Sequence, residues 1–596
     1  MFKDILIKSL DGGLFTTNEE SKIPENYCPD MLNVDFESGG SIRNRQGSVN
    51  FGTIVNSLSG VRSLHNFKRQ DGIEIPLRTW STDVEYYNRQ TSAWSRLSTG
   101  YTSDKVFDFT DYVDYTYFCN GVDALFRWNG RYGTVTDAHA ASATALEVTN
   151  LDSLWLSAGE AIVGTQPIYY GSKTSGTLQS VTGLSAIITA GTEISQSPLS
   201  ARGWGANVSS TPRGNILITN GDRVYLAGCS SEGQRMYYSK IGDPTDWTYS
   251  STHVDNEGGY VTLGDGGAYI TGLVNRGFSR VAATKKDAIK SFEFVQVDAT
   301  HLDWPKVGDI AQSRNCGALT NKSLVGVEGD SWYVSPNGGV RSIADVANVG
   351  LTIDDRSVLI RPTMEDLSFV SASGIYYGKK YYVACKTIDS SKNNVVLVND
   401  LLANERKGSW TRYNGWFVND WVDFDGGLYF ADAYSKGTYK VNLNYDDNGS
   451  AYICYYKTPL INHGIPHEQK RLRYVYVEGY ITENGKLSCT AYHDALSSNS
   501  KQIVIYGNGA YVDPSTTLTF GDTTYGDSVF AGDPSGTDFL LRKFRVKLSY
   551  SLQNLFNYQL EIKSNGAGMG WRIDQIAPYV EREAQTIFPI SNIVGY

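Results

Sequence analysis

The sequence predicts an all-β protein: a β-propeller of about seven blades, with six or eight fitting the same span, carrying an inserted small β module and followed by a C-terminal β-sandwich. Three observations lead there. The 596 residues include 60 Gly, 40 Tyr and 12 Trp, while charged residues are only 19%, the composition of many short strands joined by tight turns. The stretch from Pro212 to Trp247 reads as a compact antiparallel unit. Similar units, each pairing strands with a Gly-rich turn and often an aromatic, recur around it without a strict period.

The stretch from Pro212 to Trp247 shows the pattern most clearly. Apolar and β-branched residues from Gly214 to Thr219 form a strand, and Asn220-Gly221-Asp222 supplies the left-handed conformations of a tight hairpin. Arg223 to Gly228 returns with Val224 and Leu226 on one face and Arg223, Tyr225 and Ala227 on the other. Arg235 to Ser239 is a third strand, and Asp243-Pro244 turns the chain before Trp247. Arg223 and Trp247 are read as fold residues, whose loss should impair assembly rather than catalysis.

In chain order, residues 1–50 form an N-terminal docking segment. Ile5 to Leu10 is a short strand, Leu32, Val34 and Phe36 alternate, and Ser38-Gly39-Gly40 turns the chain toward Ile42 and Arg43-Asn44-Arg45-Gln46-Gly47. Arg43 and Arg45 share one face of a strand. They are either solvated or locally ion-paired, or they tie this segment to carboxylates on the main body or on a neighbouring subunit. Residues 51–133 and 205–450 are the propeller, with hairpin signals at Asn120-Gly121, Asn129-Gly130 and Asp265-Gly266-Gly267. At roughly 45 residues per blade they make about seven blades.

Residues 134–204 lose nearly all charge: Lys173 is the sole basic residue between Thr134 and Ser200. This inserted module, rich in Ala, Ser, Thr and Gly, suits either a packed contact with another subunit or an independent exposed loop domain. Residues 451–596 are the sandwich. Tyr474 and Tyr476 fall on one face of a strand and Val475 and Val477 on the other, residues 486–494 make a second strand, and a polar stretch over 506–538 precedes three more.

Composition limits the function. A net charge of −10 argues against sequence-independent nucleic-acid binding, which needs a basic face, yet suits a surface that DNA slides past. Cys28, Cys119, Cys229, Cys316, Cys385, Cys454 and Cys489 form no C-x-x-C pair and are expected to be small buried hydrophobes of a reducing compartment. The N-terminus is no signal peptide and no run spans a membrane, so the chain is expected to be soluble and made in the cytoplasm. No Asp-box, G-x-S-x-G, H-E-x-x-H or Walker loop occurs, and no local spacing marks a pair of facing carboxylates. His463 and His467 flank Gly464 and Pro466 and make a poor metal pair. Asn444, Asp446 and Asn448 open like a calcium loop, but Tyr455 stands where the bidentate Glu belongs, so 444–449 reads as a turn between modules. No catalytic, cofactor or metal residue is assigned, and no cofactor is expected.

The segments 33–47 and 212–247 together resemble structural tail proteins of tailed bacteriophages. The matching residues are Asn33, Val34, Asp35, Phe36, Gly39, Gly40, and Arg45 with Gly47 two positions later, where the family pattern is Arg-x-x-Gly; the blade Arg-Val-Tyr-Leu-Ala-Gly to Tyr-Tyr-Ser, Gly-Asp-Pro and Trp (Arg223 to Trp247) is similar as well. In size and layout the chain is most similar to the tail nozzle, the distal tail-tube protein of short-tailed phages. That resemblance implies a non-enzymatic virion tail protein, synthesised in the host cytoplasm and forming a homohexameric ring. Its partners would be a tail adaptor and tail fibre or spike proteins, with phage DNA ejected through the lumen without specific binding. The alternatives are a tail component that binds host-surface glycans through the aromatic-rich sandwich, and a propeller glycosidase.

Overall fold

The computed structural model describes residues 7–582 except 8, 38, 53–58, 154, 201–211, 251–253, 265–267, 300, 313–314, 345–354, 443, 465, 495, 508–509, 514–515 and 520–540. The expected turn at Asp265-Gly266-Gly267 lies outside the described residues, as do half of the strand expected from Ile5 to Leu10 and much of the polar stretch at 506–538.

The β-propeller has seven consecutive antiparallel sheets among the described residues, six of four strands and one of three. Blade 1 occupies 63–98, blade 2 108–128 with 199–200, blade 3 216–262, blade 4 270–312, blade 5 325–342, blade 6 367–414 and blade 7 418–442. In each blade the first strand lies innermost. These inner strands pack side by side around an axis, with the short 3-10 turn Asn321–Ser323 filling the place between blades 4 and 6. The ring is closed by the N-terminal strand Gly47–Asn50, which supplies the outermost strand of blade 7 by pairing with Thr438–Asn442.

Apolar cores lie between neighbouring blades, because strand residues of both parities are buried between adjacent sheets; the one between blades 5 and 6 is continuous with the sandwich core. In blade 3, Val224 and Leu226 pack toward blade 2, and Tyr225 and Ala227 pack toward blade 4. The stretch from Pro212 to Trp247 thus supplies three strands, Ile216–Asn220, Arg223–Ala227 and Arg235–Tyr238. The sequence pattern missed the fourth, Gly259–Thr262. Trp247 is buried in the connection between strands three and four, with its indole N–H donating to the Pro244 carbonyl at 2.8 Å. Arg223 is buried too, bonded to Asp303 and the Ser239 carbonyl and lying over Phe294.

The inserted module is a four-stranded and a three-stranded sheet between Tyr132 and Gln196, with a separate core around Trp155, Ile168 and Leu178. It interrupts blade 2 between its third and fourth strands. Glu193 ties it to blade 1, accepting from Asn88 and Thr91 at 2.8 Å each.

Among the described residues, the C-terminal sandwich has sheets of seven and five strands. Val475 and Val477 are buried as the alternation requires, while Tyr474 stacks on Tyr579 at 4.5 Å on the other face. Within the expected docking segment, three short strands join this sandwich, while Gly47–Asn50 belongs to blade 7. Asp30–Leu32 joins the seven-stranded sheet beside Cys454–Lys457. Val34–Phe36 and Ile42–Asn44 extend the five-stranded sheet beside Trp571–Arg582. Strands so short cannot hold an independent fold, and their apolar residues Met31, Val34, Phe36 and Ile42 complete a core shared with blades 5 and 6. All seven cysteines are buried and unpaired.

Candidate functional site at the propeller axis

The axis of the propeller brings together three charges that the sequence keeps far apart. Lys322 rises from the turn Asn321–Ser323, whose first hydrogen bonds are capped by Thr320. Its ammonium lies 2.9 Å from Asp420 of blade 7 and 3.9 Å from Asp108 of blade 2. Asp420 also accepts from the Leu64 N–H of blade 1 at 3.0 Å and from Ser373 of blade 6 at 3.1 Å. Asp108 accepts from the Leu217 N–H of blade 3 at 2.7 Å and from Asn321 at 3.0 Å. Asn321 in turn accepts from the Leu273 N–H of blade 4 at 3.1 Å. One network therefore pins inner strands from blades 1, 2, 3, 4, 6 and 7.

Electrostatics follows from burial. Desolvation opposes charge on Lys322, but Asp420 and Asp108 together hold its ammonium above the ordinary lysine range. Desolvation raises the Asp108 carboxyl, with Lys322 pulling it back only in part. Both carboxylates are engaged by an ammonium and by backbone N–H groups, an arrangement that holds the strands together. Above the network opens a funnel of about 470 Å³ to which every blade or its leading segment contributes.

The second polar centre is the joint between propeller and sandwich. Asn33 adopts a left-handed backbone between two strands, a conformation asparagine tolerates. Its side-chain oxygen accepts from Arg45 Nε at 2.9 Å and from the Asn414 N–H at 2.9 Å. Arg45 is fully buried, 2.6 Å from Asp447, and lies over Tyr452 at 4.0 Å and Trp416 at 4.5 Å. The tie to a carboxylate on the main body is thus realised by Arg45, whereas Arg43 pairs locally with Glu37 at 2.8 Å. Asp35 receives Lys380 of blade 6 at 2.7 Å and the Tyr413 hydroxyl. Burial works against its charge, but Lys380 and Arg43 hold its carboxyl below the ordinary value of 3.8.

That shift sets a pH dependence. A carboxyl depressed in the fold contributes stability that is complete above its unfolded value and is lost as pH falls through the folded one. Acidification below about 3.8 should therefore loosen the strand Val34–Phe36 from blade 6. Hydrogen exchange of this strand is expected to accelerate there in the wild type, and less so in Asp35→Asn.

The remaining sequence candidates separate. His463 donates to or accepts from the Tyr558 hydroxyl at 2.8 Å, whereas His467 is exposed and lies 4.0 Å from Glu468. In the loop 444–449, Asp446 caps the Gly449 N–H at 2.7 Å and Asp447 is taken by Arg45, so the segment is a turn between modules. Among the described residues no group of three or more metal-ligating side chains occurs, and no helix is long and apolar enough to cross a membrane. Sequence reading missed Asp108, Lys322 and Asp420 because only closure of the ring brings them together.

Fold and site together define a seven-bladed propeller, closed by its own N-terminal strand and fused to a β-sandwich. No protein-family model matches the chain. No curated protein matches it. Among solved structures it is similar to BamB from Moraxella catarrhalis, at 12% identity over 68% of this chain and 99% of that one, with a TM-score of 0.29. It is also similar to YCF48 bound to D1 peptide, at 7% identity over 69% and 99% with a TM-score of 0.33, and to the computationally designed Ika8 protein, at 10% identity over 66% and 100% with a TM-score of 0.33.

Proposed function

We propose that this chain is a non-enzymatic structural subunit of a phage tail, assembling as a ring whose central lumen conducts DNA, in the manner of a tail nozzle. The observation that carries the reading is the joint. Asn33, Asp35 and Arg45, which carry the sequence resemblance to phage tail proteins, are the residues that lock propeller to sandwich. Such a lock makes one stiff subunit of two bodies, as a mechanical conduit requires.

The axial network adds a constraint. Lys322, Asp108 and Asp420 occupy the propeller axis, so a DNA lumen belongs between subunits and not through the propeller. An acidic chain of net charge −10 would let phosphates pass such a lumen without holding them. The weakly charged inserted module offers a subunit contact. Light scattering of the purified protein and imaging of assembled tails test this. A hexameric mass and an axial ring are expected, and a strict monomer absent from the tail axis would overturn it.

A further inference from the structure

The axial funnel has a construction that strand pinning alone does not require. Three of the inner strands that surround it break register beside it. In blade 4, Ile270 pairs with Lys285 and Gly272 with Thr284, leaving Thr271 as an extra residue. In blade 7, Val418 pairs with Asp432 and Asp420 with Ala431, leaving Asn419. In blade 6, Ser368 pairs with Lys386 and Ser373 with Ala384, so that residues 369–372 stand opposite Cys385 alone. Thr271, Asn419, and Val370 with Ser371 and Ala372 all line the funnel. A bulge gives up ladder hydrogen bonds in order to re-aim side chains, and bulges concentrate beside sites. Apart from Phe369, which is buried in the core, the extra residues line the same cavity.

We infer that this funnel is a binding site for a neutral sugar residue, a function that goes beyond the conduit role and stands on the funnel alone. The chemistry selects the class. At the floor Lys322 is already balanced by Asp420 and Asp108. An anion must compete with two carboxylates for that ammonium, and a cation must compete with the ammonium for the carboxylates. A neutral polyol can donate to Asp108 and accept from Lys322 while both ion pairs persist. The hydroxyls of Thr271 and Ser371 donate within the protein, to Thr284 and Asn393, and keep acceptor capacity toward the cavity. Higher up, Val370 (72% exposed) and Val106 (51% exposed) add apolar surface, and Arg62, the other cation of the lining, is paired with Asp104 at 3.0 Å. A pyranose has this division, with hydroxyl edges and an apolar C–H face, and a cavity of about 470 Å³ holds roughly one or two such rings.

The test uses the full-length protein and ligand-observed NMR with glucose, galactose, mannose, rhamnose and N-acetylglucosamine, each up to about 50 mM, a range that detects millimolar affinity. Saturable binding of at least one is expected. Val370→Trp should weaken it by about tenfold or more by filling the mouth, at unchanged melting temperature because the site is exposed. Val297→Trp, at an exposed position away from the funnel lining, should leave it unchanged. Absence of binding by all these sugars, or binding indifferent to Val370→Trp, overturns the inference. Binding of inorganic phosphate or spermidine that Val370→Trp abolishes, with no sugar bound, also overturns it. The hexamer can fail while sugar binding holds, and the reverse, so the two readings are tested separately.

Discussion

Replacing Arg45 by Met is expected to destabilise the protein by about 4 kcal/mol, since removing one partner of a buried ion pair leaves the other charge uncompensated. Arg45 is wholly buried, and Asp447 is partly buried. The guanidinium also bonds Asn33 and the Asn414 carbonyl and lies over Tyr452 and Trp416, contacts a thioether cannot reproduce. Urea unfolding followed by tryptophan fluorescence measures the effect. Adding Asp447→Asn to Arg45→Met should recover part of the loss, because the orphaned charge is then gone. If Arg45→Met unfolds at the wild-type urea concentration, the joint is not what holds the two bodies together.

Lys322→Met is the second large effect, with an expected loss of about 3 kcal/mol by the same reasoning. It leaves Asp108 and Asp420 facing each other at the axis without their shared cation. Here pH discriminates. The variant should regain stability as pH falls toward the carboxylate range, because protonation removes the repulsion, and should regain more than the wild type, in which Lys322 already pulls the raised Asp108 carboxyl partly back. Thermal melting from neutral pH to about pH 4 measures this. A Lys322→Met protein whose stability runs parallel to wild type with pH would show that the axial charges do not interact as the distances imply.

How much of this was legible in the sequence depends on the range of the interaction. Asn220-Gly221 announced its hairpin because a tight turn is set by its own residues, and Val475 and Val477 declared a buried face because a strand alternates. The fourth strand of blade 3, Gly259–Thr262, was missed since a short stretch with two half-buried residues has no pattern of its own. Arg45 was readable as a tie to some carboxylate, but its partner was not. Asp447 had already been assigned to a turn, and nothing local links positions so far apart. The axial trio was illegible for the same reason. Inserted residues such as Thr271 and Asn419 leave no mark either, since a bulge is defined by the strand opposite.

The closing strand also orders events in time. Gly47–Asn50 finds its partner only when Thr438–Asn442 exists. At about 5–20 residues per second, the early strand waits on the order of 20–80 s of synthesis. Until then Gly47–Asn50 lacks its partner strand, and an unpaired strand of this kind recruits wrong partners. A chain that stops short of Asn442 can never form the ring. Ring closure thus waits for Asn442 and precedes completion of the sandwich that follows it.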